Sequence, residues 1–171
     1  SRPSITITLP PPMTVTSMLS AGAMWNIGGQ AMKDKIIVTD KGCFACPTPC
    51  GKYSRLVKDG KEVYVEGPEY ETIALIGGNF AFERIEDVAY ANRICDDLGL
   101  DTISGGAVIS FAMECFEKGI ITKEQLGRAI SWGDIDSFEF LAGIIAKRQG
   151  MGDLLAKGVR DAALGLGKGS I

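Results

Sequence analysis

The 171-residue sequence predicts a mainly α-helical domain, irregular in layout and carrying one small β-hairpin. Three observations predict it. From Pro68 onward, apolar residues recur at helical spacing, and the segments are punctuated by glycines that stop helices and by Asp or Thr that start them. An Asp59-Gly60 pair lies between two β-rich runs, Tyr53 to Val57 and Glu62 to Val65, which is a strong short-range hairpin signal. Hydrophobic content of 46% and charged content of 23% are ordinary globular values. A chain of this length buries about 68–70% of its unfolded surface.

In chain order, residues 1–12 alternate apolar and polar (Ile5, Ile7, Leu9) before three prolines, which reads as a short edge strand or extended arm. Residues 13–40 carry a weak helical pattern, interrupted at Gly28-Gly29 and resumed from Ala31 to Lys35. The cysteine-rich stretch 41–50 follows, then the hairpin. Pro68 suits the first position of a helix with Glu69 and Glu71 in its first turn, where the helix dipole favours acids. That helix stops near Gly77-Gly78. The next, about Arg84 to Leu98, places Ile85, Val88, Ala89, Ala91, Ile94, Cys95 and Leu98 on one broad face, with Gly99 closing it. Asp101 caps a helix to about Lys118, with Ile103, Ala107, Phe111 and Cys115 spaced by four. Thr122 and Gln125 form a capping box for a short helix to Ile130. Asp136 opens another to Lys147. Residues 151–164 hold one or two more, broken by Gly158, before a glycine-rich tail expected to fray.

Charge and composition exclude several classes. A net charge of -3 leaves no footprint for nucleic acid or an anionic membrane. AVISFAM at 107–113 is among the longest apolar runs, far short of a bilayer span. The N-terminus lacks the charged start and apolar core of a signal peptide. Five cysteines, three of them crowded, fit a reducing, cytoplasmic setting better than a secreted disulfide scaffold. The chain has no histidine, so proton transfer falls to carboxylates, Tyr, Lys or water.

Cys43, Cys46 and Cys50 form a Cys-x2-Cys-x3-Cys run. Gly42 and Gly51 give the loop flexible ends, while Pro47 and Pro49 stiffen its middle. Thiolates select iron–sulfur clusters, zinc or Cu(I). The plain alternatives are a structural zinc, which normally takes a second Cys or His pair that is absent here, or three reduced thiols without a ligand role. Three local ligands plus a distant fourth account for the pattern better. Cys95 and Cys115 sit on apolar stripes, where free cysteine behaves as a small hydrophobe. A second stretch, Asp96-Asp97-Leu98-Gly99-Leu100-Asp101, reads locally as a helix stop followed by a cap. Its three carboxylates could also accept paired hydrogen bonds from a planar donor edge such as an amino-pyrimidinone. In a third, Glu66-Gly67-Pro68-Glu69-Tyr70-Glu71-Thr72, the acids suit a first helical turn, or a proton acceptor near a redox centre.

The ordered trio of Cys43-x2-Cys46-x3-Cys50-Gly51, EGPEYET and DDLGLDTIS resembles the tungsten-dependent aldehyde ferredoxin oxidoreductase family. The similarity runs from about Gly28 to Gly167 and corresponds to the first of two helical domains, so residues 1–27 read as an N-terminal arm and 28–171 as the helical domain. The resemblance implies tungsten, or molybdenum, held between two pterin dithiolenes beside one [4Fe-4S] cluster. It also implies oxidation of aldehydes to carboxylic acids, with ferredoxin as electron acceptor. Cys43, Cys46 and Cys50 match the family's three clustered iron–sulfur ligands. Asp96, Leu100 and Asp101 match its Asp-x-x-Gly-Leu-Asp pterin motif, and Glu69 falls at or within one position of a glutamate near the metal. The fourth cluster cysteine, the second pterin motif and the β-rich domain have no counterpart here, nor does the family's histidine near the metal or the Glu-x-x-His pair with which some members hold a metal at a dimer interface. The resemblance therefore implies a fragment of a longer enzyme, inactive alone, that docks to the remaining domains; apolar helix surfaces left exposed in such a fragment favour homodimers. Three alternatives stand beside it: an iron–sulfur electron-transfer module without pterin, a family member acting on another substrate such as an aromatic thioester, and a helical interaction domain with incidental cysteines.

Overall fold

The structure is a computed structural model that describes residues 25–167. The arm expected at residues 1–12 and the end of the glycine-rich tail lie outside the described residues. Helix α1 (Gly29–Lys35) is the resumed helical segment. Strand β1 (Ile37–Lys41) follows directly. This strand departs from the weak helical pattern read over 13–40. Ile36, Ile37, Val38 and Thr39 are four β-branched residues in a row, stiff at χ1 and better suited to a pleated surface than to a helix.

Strands β2 (Gly51–Lys58) and β3 (Lys61–Glu66) form the predicted hairpin. Asp59 and Gly60 adopt φ of 51° and 74°, the two positive values a type I′ turn requires. The result is a three-stranded antiparallel sheet, ordered β1-β2-β3, rather than a lone hairpin. Its inner face, with Ser54, Leu56 and Val65 buried, packs against helix α3. Lys41 pairs with Gly51, so the loop of residues 42–50 emerges from one end of the β1–β2 ribbon.

Past β3, Gly67 turns the chain at φ 118° and is joined to Pro68 by a cis peptide bond. Helix α2 (Tyr70–Thr72) starts two residues later than expected. Pro68 is not its first residue but a fully buried wedge before it, and Glu69, extended at ψ 167°, is the cap. The helix widens at once into a π-helical turn, Ile73–Gly78, which ends at the expected glycines.

Helix α3 (Ile85–Leu98) buries the predicted face, with Leu98 partly covered. Its end is a Schellman motif: Gly99 at φ 66°, with Leu100 N–H donating to Cys95 O at 2.8 Å and Gly99 N–H to Asp96 O at 3.2 Å. Helix α4 (Thr102–Glu117) follows, capped by Asp101 as expected. Its buried face is Val108, Ile109, Ala112, Met113 and Cys115, whereas Ile103 is 45% exposed. A strict four-residue spacing advances about 40° beyond a full turn at each step. The ladder from Ile103 therefore walks off one face, and only its last member, Cys115, is buried.

Helix α5 (Lys123–Leu126) carries the predicted Thr122–Gln125 capping box. It stops short of Ile130 because Gly127 turns left-handed at φ 86°. Helix α6 (Ile135–Ala146) is opened by Asp134 rather than Asp136, with the Asp134 carboxylate accepting from Ser137 N–H at 2.9 Å. Helices α7 (Met151–Leu155) and α8 (Val159–Leu166) are divided by Gly158 at φ 92°. Helix α6 packs on α3, α4 and α7. Phe138 of α6 meets Phe80 edge-on at 5.4 Å and Phe82 at 5.9 Å, in a fully buried aromatic cluster. No helix among the described residues is long and apolar enough to cross a membrane.

Candidate functional site

Cys43, Cys46 and Cys50 are all exposed at the tip of the β1–β2 ribbon. Free cysteine is among the most buried residue types, so three exposed thiols within eight residues are not there for packing. The loop is pinned by short local bonds: Cys46 N–H donates to Cys43 O at 3.0 Å and Cys50 N–H to Thr48 O at 2.9 Å. Ala45 takes the left-handed conformation at φ 59° to make the bend. Among the described residues no three Cys, Asp or Glu side chains are grouped closely enough to hold a metal ion. The donor set itself is soft and uniform, three thiols without imidazole, which suits an iron–sulfur cluster far better than a hard cation.

The fold brings the other two motifs to the same end of the sheet as this loop. A Cβ on Gly51, the residue after Cys50, would stand 3.6 Å from Glu69 Oε1. At the same end of the ribbon Lys41 forms an ion pair with Glu66. Thr72 and Thr102 share a hydrogen bond of 2.8 Å, fastening the start of α2 to the start of α4. The two predicted motifs 66–72 and 96–104 are thus neighbours in space.

Within the second motif the two aspartates have different environments. Asp101 accepts from Ser104 N–H and from Ser104 Oγ–H, each at 2.7 Å. These bonds hold its carboxyl below the usual carboxylate range. Its folded pKa thus lies under its unfolded one, so the capping stability is complete above about pH 4 and is lost as pH falls through the folded value. Asp101→Ala should lower the thermal midpoint at neutral pH, since a lost cap costs about 0.5–2 kcal/mol. Melts of both proteins should converge as the pH drops below that window, and a pH-independent gap would dispose of the capping account.

Asp96 behaves in the opposite way. Partial burial raises its pKa, with Asp97 and Glu66 adding repulsion, while a hydrogen bond from Asn92 and the nearby Arg93 pull it down. Leu100 sits between the two aspartates, partly buried against the core.

Cys95 and Cys115 are buried, as their stripes predict. Burial pushes their thiols up to about 12 and about 11, so neither is poised to act as a thiolate ligand. Sequence reasoning missed Asn92, Ser54 and the close approach at Gly67. Asn92 was legible in principle: it lies seven residues after Ile85 and four after Val88, a polar residue on the core face.

The structure so far describes a helical domain that presents an exposed cysteine loop beside a cluster of carboxylates. Residues 13–170 match the family model "Aldehyde ferredoxin oxidoreductase, domains 2 & 3". The chain belongs to the aldehyde ferredoxin oxidoreductase family. It is 44% identical over 132 residues to the tungsten-containing aldehyde ferredoxin oxidoreductase of Pyrococcus furiosus, covering 76% of this chain and 21% of that protein. The enzyme of the same name from Thermococcus kodakarensis is 39% identical over the same length, with the same coverage. A WOR-like subunit of an aliphatic sulfonate oxidoreductase from Pyrococcus furiosus is 38% identical over 122 residues, covering 71% of this chain and 20% of the subunit. Among solved structures, the BamBC active-site complex of benzoyl coenzyme A reductase with 1,5-dienoyl-CoA superposes with a TM-score of 0.66 at 25% identity, covering 82% of this chain and 21% of that one. The chain spans about a fifth of the length of these relatives.

Proposed function

We propose that this chain is the part of a tungsten-dependent oxidoreductase that holds one side of its redox centres. The observation that carries the reading is the trio of exposed thiols at the sheet end, next to Glu69 and within one fold with the Asp96–Asp101 turn. Cys43, Cys46 and Cys50 supply three ligands of a [4Fe-4S] cluster, and a cysteine elsewhere in the full enzyme supplies the fourth. Asp96 and Asp101, with the backbone around Leu100, hold a pterin by its planar donor edge, and a carboxylate there accepts two parallel hydrogen bonds. When bound, the tungsten (or molybdenum) bis-pterin supplies two-electron oxidation and the cluster passes electrons out singly.

In the overall reaction, an aldehyde and water give a carboxylic acid, two protons and two electrons. Glu69, exposed at the start of α2 and beside Gly51 of the cysteine loop, takes the proton at its carboxylate oxygen in this reading. The electrons leave to ferredoxin in the cytoplasm. A second reading keeps the same site but changes the substrate to an aromatic thioester, and the likeness to benzoyl coenzyme A reductase favours it.

The test is elemental analysis for W, Mo, Fe and Zn on the full-length protein purified without oxygen, paired with assays of aldehyde oxidation and of aromatic thioester reduction. Tungsten with roughly four irons per chain supports the reading, one [4Fe-4S] cluster accounting for that iron. Iron without tungsten or molybdenum points to a pterin-free electron-transfer module, and zinc alone overturns the assignment of the loop. Asp96→Ala combined with Asp101→Ala should release pterin and tungsten while sparing iron. Retention of both would sink the pterin assignment.

A further inference from the structure

Asn92 stands where the two motifs of the site meet. It is 4% exposed on the core face of α3, among Ala91, Ile94 and Cys95. A buried amide without partners would be destabilising, so its polar atoms need a structural or functional account. Its Nδ2–H donates to Asp96 Oδ2 at 3.0 Å, one helical turn on. Its Oδ1 faces the other motif: a Cβ on Gly67 would lie only 2.8 Å from it. Gly67 has φ 118°, so both the space and the backbone conformation there demand glycine.

The same glycine is held on its other sides as well. Its N–H donates to Lys52 O at 2.7 Å, and its carbonyl accepts from the buried Ser54 Oγ–H at 2.6 Å. The next two residues are Pro68, fully buried, and Glu69. The sheet therefore fixes Gly67, Gly67 abuts the Asn92 amide, and the amide fixes one oxygen of Asp96. Asp96 itself is exposed, and it keeps Oδ1 and the second lone pair of Oδ2 for a ligand.

We propose that Asn92 is a positioning residue that orients the Asp96 carboxylate for pterin binding and locks that carboxylate to the Gly67–Glu69 segment. The inference rests on the pterin reading of Asp96 given above. A carboxylate that must accept two parallel bonds loses most of its advantage if it can rotate, and a donor from behind removes that freedom. The same bond favours the ionised form of Asp96, against the burial and the neighbouring Asp97 and Glu66 that disfavour it.

The test uses the full-length enzyme, with pterin and tungsten retained per chain after gel filtration as the readout and iron per chain as the internal control. Asn92→Leu and Asn92→Ser are each made alone and in an Asp96→Asn background. In the otherwise unaltered enzyme, losing one hydrogen bond to a charged group should lower retention about tenfold or more, with iron unchanged. In the Asp96→Asn background, either substitution should cause no further loss, because there is no carboxylate left to orient. Whichever variant is soluble decides the matter. An equal loss in both backgrounds would show that Asn92 only supports the helix, and would overturn the proposal. Full retention in the Asn92 variants, beside loss in Asp96→Asn, would overturn it while leaving the pterin reading standing. Full retention in Asp96→Asn would remove the pterin reading itself.

Discussion

Serine in place of Cys43, Cys46 and Cys50 should strip the iron from the full-length enzyme and abolish its turnover, with the domain's fold left in place. Iron should fall from roughly four atoms per chain toward zero, since serine oxygen is a poor substitute for a soft thiolate. The three thiols are exposed and make no core contact, so the substitutions themselves belong to the class of surface changes worth within about 0.5 kcal/mol. Three such changes sum to at most about 1.5 kcal/mol, so in metal-free protein the thermal midpoint should move by no more than about 3–6 °C. In the loaded enzyme it should fall further, because a cluster bound only by the folded state adds its binding free energy to stability. Ferrozine-type iron assay, the visible absorbance of the cluster and a melt of each form separate these effects. Unchanged iron and activity would make the cysteines incidental, and a large fall in the metal-free midpoint would mean that the loop has a packing role its exposure does not suggest.

Much of this arrangement was legible in the residues, for physical reasons that differ by element. The helices α3 and α4 were readable because their caps are local: Gly99 closes one through bonds back to Cys95 and Asp96, and Asp101 opens the next through Ser104. The I′ turn was readable because only residues such as Asp-Gly tolerate two positive φ values. Strand β1 was not, because its pairing partner lies beyond the cysteine loop and no local periodicity announces it. The start of α2 was misplaced because Pro68 satisfies the rule for a first helical residue equally well as a buried wedge. The strict spacing from Ile103 misled because three- and four-residue steps must alternate for a stripe to stay on one face. The candidate site was readable as three separate motifs, but not as one place. Their meeting depends on Gly67 against Asn92 and on Thr72 against Thr102, contacts between residues 25 and 30 positions apart that sequence spacing does not encode.

Phe138→Ala should be the most damaging substitution for stability. Phe138 is fully buried and packs edge-on against Phe80, with Phe82 alongside. Truncating a core Phe removes its burial and leaves a cavity, at a cost of about 3–5 kcal/mol. For a chain of this size each kcal/mol moves the midpoint by about 2–4 °C, so the fall should be roughly 6–20 °C. Phe138→Leu, which keeps most of the volume, should cost much less. The damage also has a direction. Helix α6 packs closely on α3, and α3 carries Asn92 and Asp96. The cysteine loop hangs from the β1–β2 ribbon, whose strands stay joined to each other and to β3 by backbone bonds even where their buried face loosens from α3. Warming Phe138→Ala enzyme should therefore release pterin and tungsten before iron. Simultaneous release of all three would mean that sheet and helices unfold as one cooperative unit, and that the two halves of the site have no separate stability.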